Sequence, residues 1–232
     1  MDRFEFDRQL ASAARALAEE PSTLSTLERA VQVATELIEG CDLAGVSVVR
    51  DGQIDTPAAS HESLRRMDEL QFELEEGPCR DALKHNEVVL VSDLATDPRW
   101  PHWGPRMADE IGVRSSLSLR LFLEGDDLGA LNLYGYAEDA FEQEDLLDGL
   151  VLAAHASVAL ANTLEQDQLK RALDTRRVIG EATGMLRERF DLSTDQAFGV
   201  LKRVSSEQNI KLFRVAQYLV ETGDLPEDSS AV

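Results

Sequence analysis

Residues 169–225 read LKRALDTRRVIGEATGMLRERFDLSTDQAFGVLKRVSSEQNIKLFRVAQYLVETGDL, and their periodicity is helical throughout. Leu169, Ala172, Leu173, Arg176, Ile179, Ala182, Met185, Leu186 and Phe190 recur every three or four residues, which predicts one buried face on a long amphipathic helix. Asp191-Leu192 breaks the pattern. Ser193 and Gln196 then stand at capping-box spacing, where hydroxyl and amide each satisfy a backbone N–H at a helix start. A second helix follows, with Ala197, Phe198, Leu201 and Val204 expected on its inner side. Asn209 is the expected N-cap of a third, in which Leu212, Val215, Ala216 and Leu219 face inward and Gly223 ends the helix.

This stretch is also where the positive charge collects. Residues 170–214 hold ten Lys or Arg against six Asp or Glu, a net of +4 in a chain of 232 residues whose formal charge is −21. So acidic a chain repels nucleic acid and anionic membrane at long range, which excludes indiscriminate binding to either. A basic island in an acidic chain leaves room for selective recognition, in which base contacts and shape carry the specificity.

Upstream the periodicity changes. Phe4, Leu10, Ala14 and Leu17 mark a first helix, and Leu27, Val31, Ala34 and Ile38 a second that closes at Gly40. From Leu43 the chain is β-branched, Asp51-Gly52 is a hairpin signal, and residues 53–59 return as a strand. Helices are expected at 61–72 and 80–85, the latter after Pro78, which suits a first helical turn. A strand at 88–91 leads to the loop Asp97-Pro98-Arg99-Trp100-Pro101-His102-Trp103 and a helix through Ile111. Two long strands, 113–123 and 128–136, joined through residues 124–127, finish the set. Strands interrupted by helices, with an adjacent pair at the end, predict an α+β domain on an antiparallel sheet flanked by helices. The three-helix stretch makes a second, all-α domain, joined to it by a long connector helix. Along that connector Leu146, Leu150, Ala153, Ser157, Leu160 and Leu164 are spaced as a coiled-coil seam, which predicts a homodimer; the alternative is packing on the domain's own sheet.

Cys41 and Cys79 are the only cysteines, and His61, His85, His102 and His155 are scattered, so no metal cluster is legible. Neither a P-loop nor a nucleophile with an activating base stands out, and the chain is read as non-enzymatic, with no cofactor. Cys79 sits where a helix begins, which could lower its pKa; a small buried residue is the stronger reading. The N-terminal residues carry charges throughout and no apolar run reaches a membrane span, so the expected location is the cytoplasm, with no membrane partner.

The order Arg171-Ala172-Leu173, Arg176, Ile179, Ala182, Gly184, Leu186, then Ala197-Phe198 with Leu201, then Asn209, Leu212 and Ala216, closely resembles the ANTAR domain. The resemblance implies a three-helix RNA-binding module of transcription antiterminators. Gly77-Pro78-Cys79 before a helix, Arg99-Trp100, residues 112–115 (GVRS) entering a strand and residues 128–134 (LGALNLY) on the last one resemble a GAF domain. Together the two imply an actinobacterial type of antitermination regulator. Its expected parts are an N-terminal helix (1–20), a GAF-like sensory domain (21–162), an ANTAR-like domain (163–225) and a disordered tail (226–232). RNA stem-loops of a leader transcript are the implied partner, met by Arg171, Arg176, Arg177, Arg187, Lys202, Arg203, Lys211 and Arg214, with Ala182, Thr183 and Gly184 at the motif's small positions. Relatives commonly carry Lys where this chain has Thr183. The GAF resemblance further implies a small-molecule effector, in a pocket lined by Trp100, Trp103, Met107, Leu119, Leu121, Asn132 and Tyr134. A competing reading is a sensory scaffold whose C-terminal bundle binds a protein.

Overall fold

In β4 (Ser115–Phe122), Leu117, Leu119 and Leu121 alternate with Ser116, Ser118 and Arg120. Successive side chains of a strand point to opposite faces, so this strand must bury one apolar and one polar row. Both are covered in the structure, a computed structural model that describes residues 3–50, 53–85, 88–122 and 128–226. The chain divides into two units after Glu165.

The first unit is built on five antiparallel strands in the order β2-β1-β5-β4-β3, with β1 Leu43–Arg50, β2 Gln53–Ala59, β3 Val89–Val91 and β5 Leu128–Gly135. On one face Val46, Val48, Leu117, Leu119, Leu121, Leu131 and Leu133 share a core with α1 (Arg3–Ala18), α2 (Thr23–Leu37) and the first part of α6 (Gln143–Phe190). The α6 backbone lies so close that a Cβ on Gly149 would stand 2.8 Å from Leu119 Cδ1. On the other face Tyr134 packs with α3 (Ser63–Glu73), α4 (Pro78–His85) and α5 (Trp103–Glu110) around Trp100, Trp103 and Met107. Ser22 and Ser25 form a capping box at the start of α2. The α+β expectation is met. The Asp51-Gly52 turn, the 124–127 connection and the 227–232 tail lie outside the described residues.

The connector contradicts its expected seam. Ala153, Ser157 and Leu160 are buried, with Ala153 and Leu160 in the core beneath the unit's own sheet, whereas Leu150 is exposed. One 18-residue window of α6 is long and apolar enough for a membrane span, and half of it is buried in the fold, as in a core helix.

The second unit closes over the C-terminal part of α6, α7 (Thr194–Gln208) and α8 (Leu212–Thr222), with Ala182, Leu186, Ala197, Leu201, Val215, Ala216 and Leu219 as its core. Ser193 caps α7 as expected, its Oγ accepting from Gln196 N at 3.3 Å while Gln196 Oε1 accepts from Ser193 N at 2.9 Å. Asn209 is not an N-cap. It ends α7 at φ 54° and Lys211 stands at the N-cap of α8; Asn tolerates the left-handed region better than most residues, and that region terminates helices. The buried face is also shorter than its periodicity suggests. Leu169, Ala172, Leu173 and Phe190 are exposed, as is Phe198, because α7 and α8 are only 15 and 11 residues long and cover about two turns of α6.

Candidate functional site

Cations placed on a helix opposite its apolar stripe are solvated and available, unless a neighbouring carboxylate takes them up. In the second unit Arg171, Arg176, Arg177, Arg187, Lys202, Arg203, Lys211 and Arg214 are all exposed. Arg177 pairs with Glu181 at 2.9 Å and Asp174 at 3.7 Å, and Arg214 donates to Gln217. The other six make no ion pair or side-chain hydrogen bond among the described residues. In the first unit the opposite holds for most cations: Arg3, Arg8, Arg29, Arg66, Arg80, Arg99, Arg106 and Arg114 each pair with a carboxylate. Among the described residues most cations of the first unit are matched by carboxylates of the same unit, whereas six of these eight in the second unit are not.

Of the three small residues expected to meet RNA, two are covered. Ala182 is fully buried in the three-helix core and has no surface to offer RNA. Thr183 is buried too, and its Oγ1 donates to Ile179 O at 2.7 Å, a bond internal to the helix. Gly184 is exposed, and a Cβ there would meet nothing within 4 Å, so another molecule could come close.

In the first unit the expected pocket residues are all buried, but they do not share one cavity. Leu119 and Leu121 face α2 and α6, whereas Asn132 and Tyr134 face α3 and α5. The register explains it, since Ser118, not Leu119, pairs with Asn132, and Ser116 pairs with Tyr134. The true companions of Asn132 were not anticipated. Asp68 on α3 is buried and accepts from Ser47 Oγ, from Thr56 Oγ1 at 2.8 Å and from Gln71 Nε2 at 3.1 Å. Asn132 Nδ2 donates to Ser47 Oγ at 2.8 Å, and Gln71 Oε1 accepts from Cys79 N at 2.9 Å. Gly77, at φ 130°, permits this turn, because a Cβ would stand 2.1 Å from Gln71 Oε1. Around this network the oxygens Ser116 Oγ, Ser118 Oγ, Asn132 Oδ1 and Tyr134 Oη are buried without a partner among the described residues. The signal that could have found them is the Ser-Leu alternation of β4.

Burial pushes the Asp68 carboxyl up to about 6, against the three hydrogen bonds that favour its charged form. Its proton is held more tightly in the folded protein than in the unfolded chain, where about 3.9 is ordinary. Its contribution to stability is therefore full below about pH 4 and is lost as pH rises to about 6. Asp68→Asn is expected to abolish this decline, which amounts to at most about 3 kcal/mol; urea unfolding of the first unit at pH 4, 5, 6 and 7 measures it. Asp93, held down to about 2 beside Arg114, loses its contribution only below that window.

Burial also raises both thiols, Cys41 to about 12 and Cys79 higher, so neither supplies a thiolate at neutral pH. Among the described residues no group of three His, Cys, Asp or Glu is placed to hold a metal ion. A cavity of about 550 Å³ opens beside α1, α2 and the start of α6 and is lined by Arg3 and carboxylates including Glu36, Glu39, Asp145 and Asp148.

Residues 22–161 match the family model of the GAF domain and residues 167–220 that of the ANTAR domain. No curated protein matches the chain. Among solved structures it is similar to a GAF domain from a phosphoenolpyruvate-protein phosphotransferase of Coxiella burnetii, at 16% identity and a TM-score of 0.58, over 72% of this chain and 99% of that one. A free methionine-R-sulfoxide reductase from Neisseria meningitidis, solved with its substrate, aligns at 17% identity and a TM-score of 0.55, covering 69% of this chain and 91% of that one. A bacteriophytochrome from R. palustris aligns at 14% identity and a TM-score of 0.58, covering 80% of this chain and 43% of that one. At these identities the likeness concerns the fold.

Proposed function

The chain belongs to the GAF domain family and carries an ANTAR domain after it, and from that premise we propose that it is an RNA-binding antitermination regulator whose GAF domain senses a signal. ANTAR domains are an RNA-binding output family, and GAF and ANTAR are both regulatory domains. The observation that carries the RNA reading is the set of six exposed, unpaired cations on a small helical unit whose acidic neighbour leaves few cations unpaired. A polyanion supplies the missing counter-charge, and single-stranded loops supply bases that a protein can read. By this reading the ANTAR domain binds hairpin loops of a leader transcript, in the cytoplasm, as a homodimer suited to a pair of hairpins. Non-enzymatic action fits the buried, protonated thiols. For the effector, the buried oxygens around Asp68 and Asn132 favour a small polar molecule over an apolar one, since leaving such groups unpaired is unfavourable.

Titrating the full chain with a labelled two-hairpin leader RNA at several salt concentrations tests the reading. Saturable binding that weakens with salt is expected, its log–log slope giving about 0.7 per phosphate neutralised on a single strand. Binding absent at every salt concentration, with capture of a protein partner by the C-terminal unit, would favour the scaffold reading.

A further inference from the structure

The core of the second unit is complete without Phe190 and Phe198. Neither ring belongs to the three-helix core or to the partly buried side chains packed against it, and the two are 57% and 37% exposed. Local structure does not require them either. The end of α6 is closed by Asp191 at φ 53° and by Leu192 N, which donates to Arg187 O at 3.2 Å, with Leu192 itself packed against the core. The start of α7 is closed by the capping box of Ser193 and Gln196. Single exposed apolar side chains are ordinary; what distinguishes these two is their kind and their company. Among the described residues from Arg176 onward they are the two exposed large apolar side chains, and both are aromatic, whereas Leu186, Leu201 and Leu219 are buried. On a helix, side chains three or four residues apart are neighbours, with Cβ atoms about 5 to 6 Å apart. Arg187 stands three residues before Phe190 and Lys202 four residues after Phe198, and both cations are exposed and without ion pairs among the described residues. Asp195, three residues before Phe198, lies in the first turn of α7, where the helix N-terminus offsets its charge.

We propose that Phe190 and Phe198 are stacking platforms for unpaired bases of an RNA loop, with Arg187 and Lys202 taking the phosphates of the same nucleotides. The proposal rests on the RNA reading above and deepens it, because cations alone do not distinguish a loop from a duplex: both carry phosphates. Rings do distinguish them. Bases inside a helix are already stacked on their neighbours, whereas bases splayed from a loop present a free face to an aromatic side chain. Every base has a π face, so this contact holds a nucleotide with little regard to its identity. It follows that the stacked positions of the loop tolerate any base but not the loss of the base. A protein is the other occupant that an exposed ring could take, and the charge decides between them. A nucleotide presents a flat apolar face and an anion within one residue, which is what a ring with an unpaired cation one helical turn away complements.

The test titrates the full chain with a labelled two-hairpin leader RNA. Phe190→Ala and Phe198→Ala are each expected to weaken binding about tenfold, with the slope of log affinity against log salt unchanged, because no phosphate contact is lost. Phe→Tyr at either position should keep the affinity, and Phe→Leu, which stays apolar but cannot stack, should not restore it. Both rings lie outside the core, so circular dichroism of all these variants is expected to match the wild type. Replacing the loop nucleotides one at a time by abasic residues locates the stacked bases: where the wild type loses about tenfold, the matching Ala variant should lose nothing further. If the wild type binds and the Phe190→Ala/Phe198→Ala double variant binds equally well, the stacking is overturned and the RNA reading stands. Full recovery with Leu does the same, since the contact would then be apolar without stacking. A wild-type chain that binds no RNA at any salt concentration overturns both, and a protein partner captured by the wild type but not by the double variant would then assign the rings to that partner.

Discussion

Trp103→Ala is expected to lower the stability of the GAF domain by about 3 to 5 kcal/mol, the usual loss for removing a fully buried large aromatic. Trp103 is inaccessible to solvent and stands edge-on to Trp100 at 6.5 Å between ring centroids. Such a pair contributes about 1 kcal/mol beyond the area it buries. Its Nε1 donates to Met67 O at 3.1 Å, tying α5 to α3, and the truncation removes that tie. A lowering of the GAF melting temperature by roughly 6 to 20 °C follows for a unit of this size. Circular dichroism melts resolve it, with the ANTAR domain expected to melt unchanged because no residue of its core belongs to the Trp103 cluster. A shift below about 3 °C would mean that the space refills or that the indole is not packed as described.

The elements of the fold were legible because each follows from a local period: alternation in β1, β4 and β5, three-and-four spacing in the helices, a capping box at Ser193. What was not legible depends on which elements meet. Leu119 and Tyr134 both look like lining for one pocket until the β4–β5 register places Leu119 beside Leu131 and Tyr134 beside Ser116. Asp68 reads as an ordinary helix-surface carboxylate in the run Arg-Arg-Met-Asp-Glu; only the approach of β1 and β2 supplies Ser47 and Thr56 to bury it. The connector shows the same limit. Its spacing suits a coiled-coil seam, and burial alone shows that Ala153 and Leu160 face the sheet while Leu150 is left open. The candidate RNA surface was legible in kind, since charge concentration is a property of composition, but not in detail. In this chain Ala182 is taken up by the three-helix core and Thr183 by a hydrogen bond within its own helix.

Replacing Arg187, Lys202, Arg203 and Lys211 together by Ala is expected to weaken RNA binding by roughly two orders of magnitude at physiological salt. Each cation that meets a phosphate releases a condensed counterion, and two of the four doing so, at about 1.5 kcal/mol each, account for a loss of that size. Arg187 lies on α6, Lys202 and Arg203 on α7, and Lys211 at the N-cap of α8 without a side-chain capping bond; all are exposed and without ion pairs among the described residues, so their removal breaks no internal bond. Ala is a strong helix former, and the fold should persist. The salt dependence decides between a direct and an indirect effect: the slope of log affinity against log salt should fall by about 0.7 for each phosphate that no longer meets a cation. Arg66 and Arg106 of the GAF domain, already paired with Glu69, Glu73 and Glu110, are the matched controls, and their replacement by Ala should leave affinity and slope alone. An unchanged slope in the fourfold variant would place the RNA elsewhere, even if affinity dropped. A slope reduced equally by the control would show that overall charge, not this surface, governs the binding.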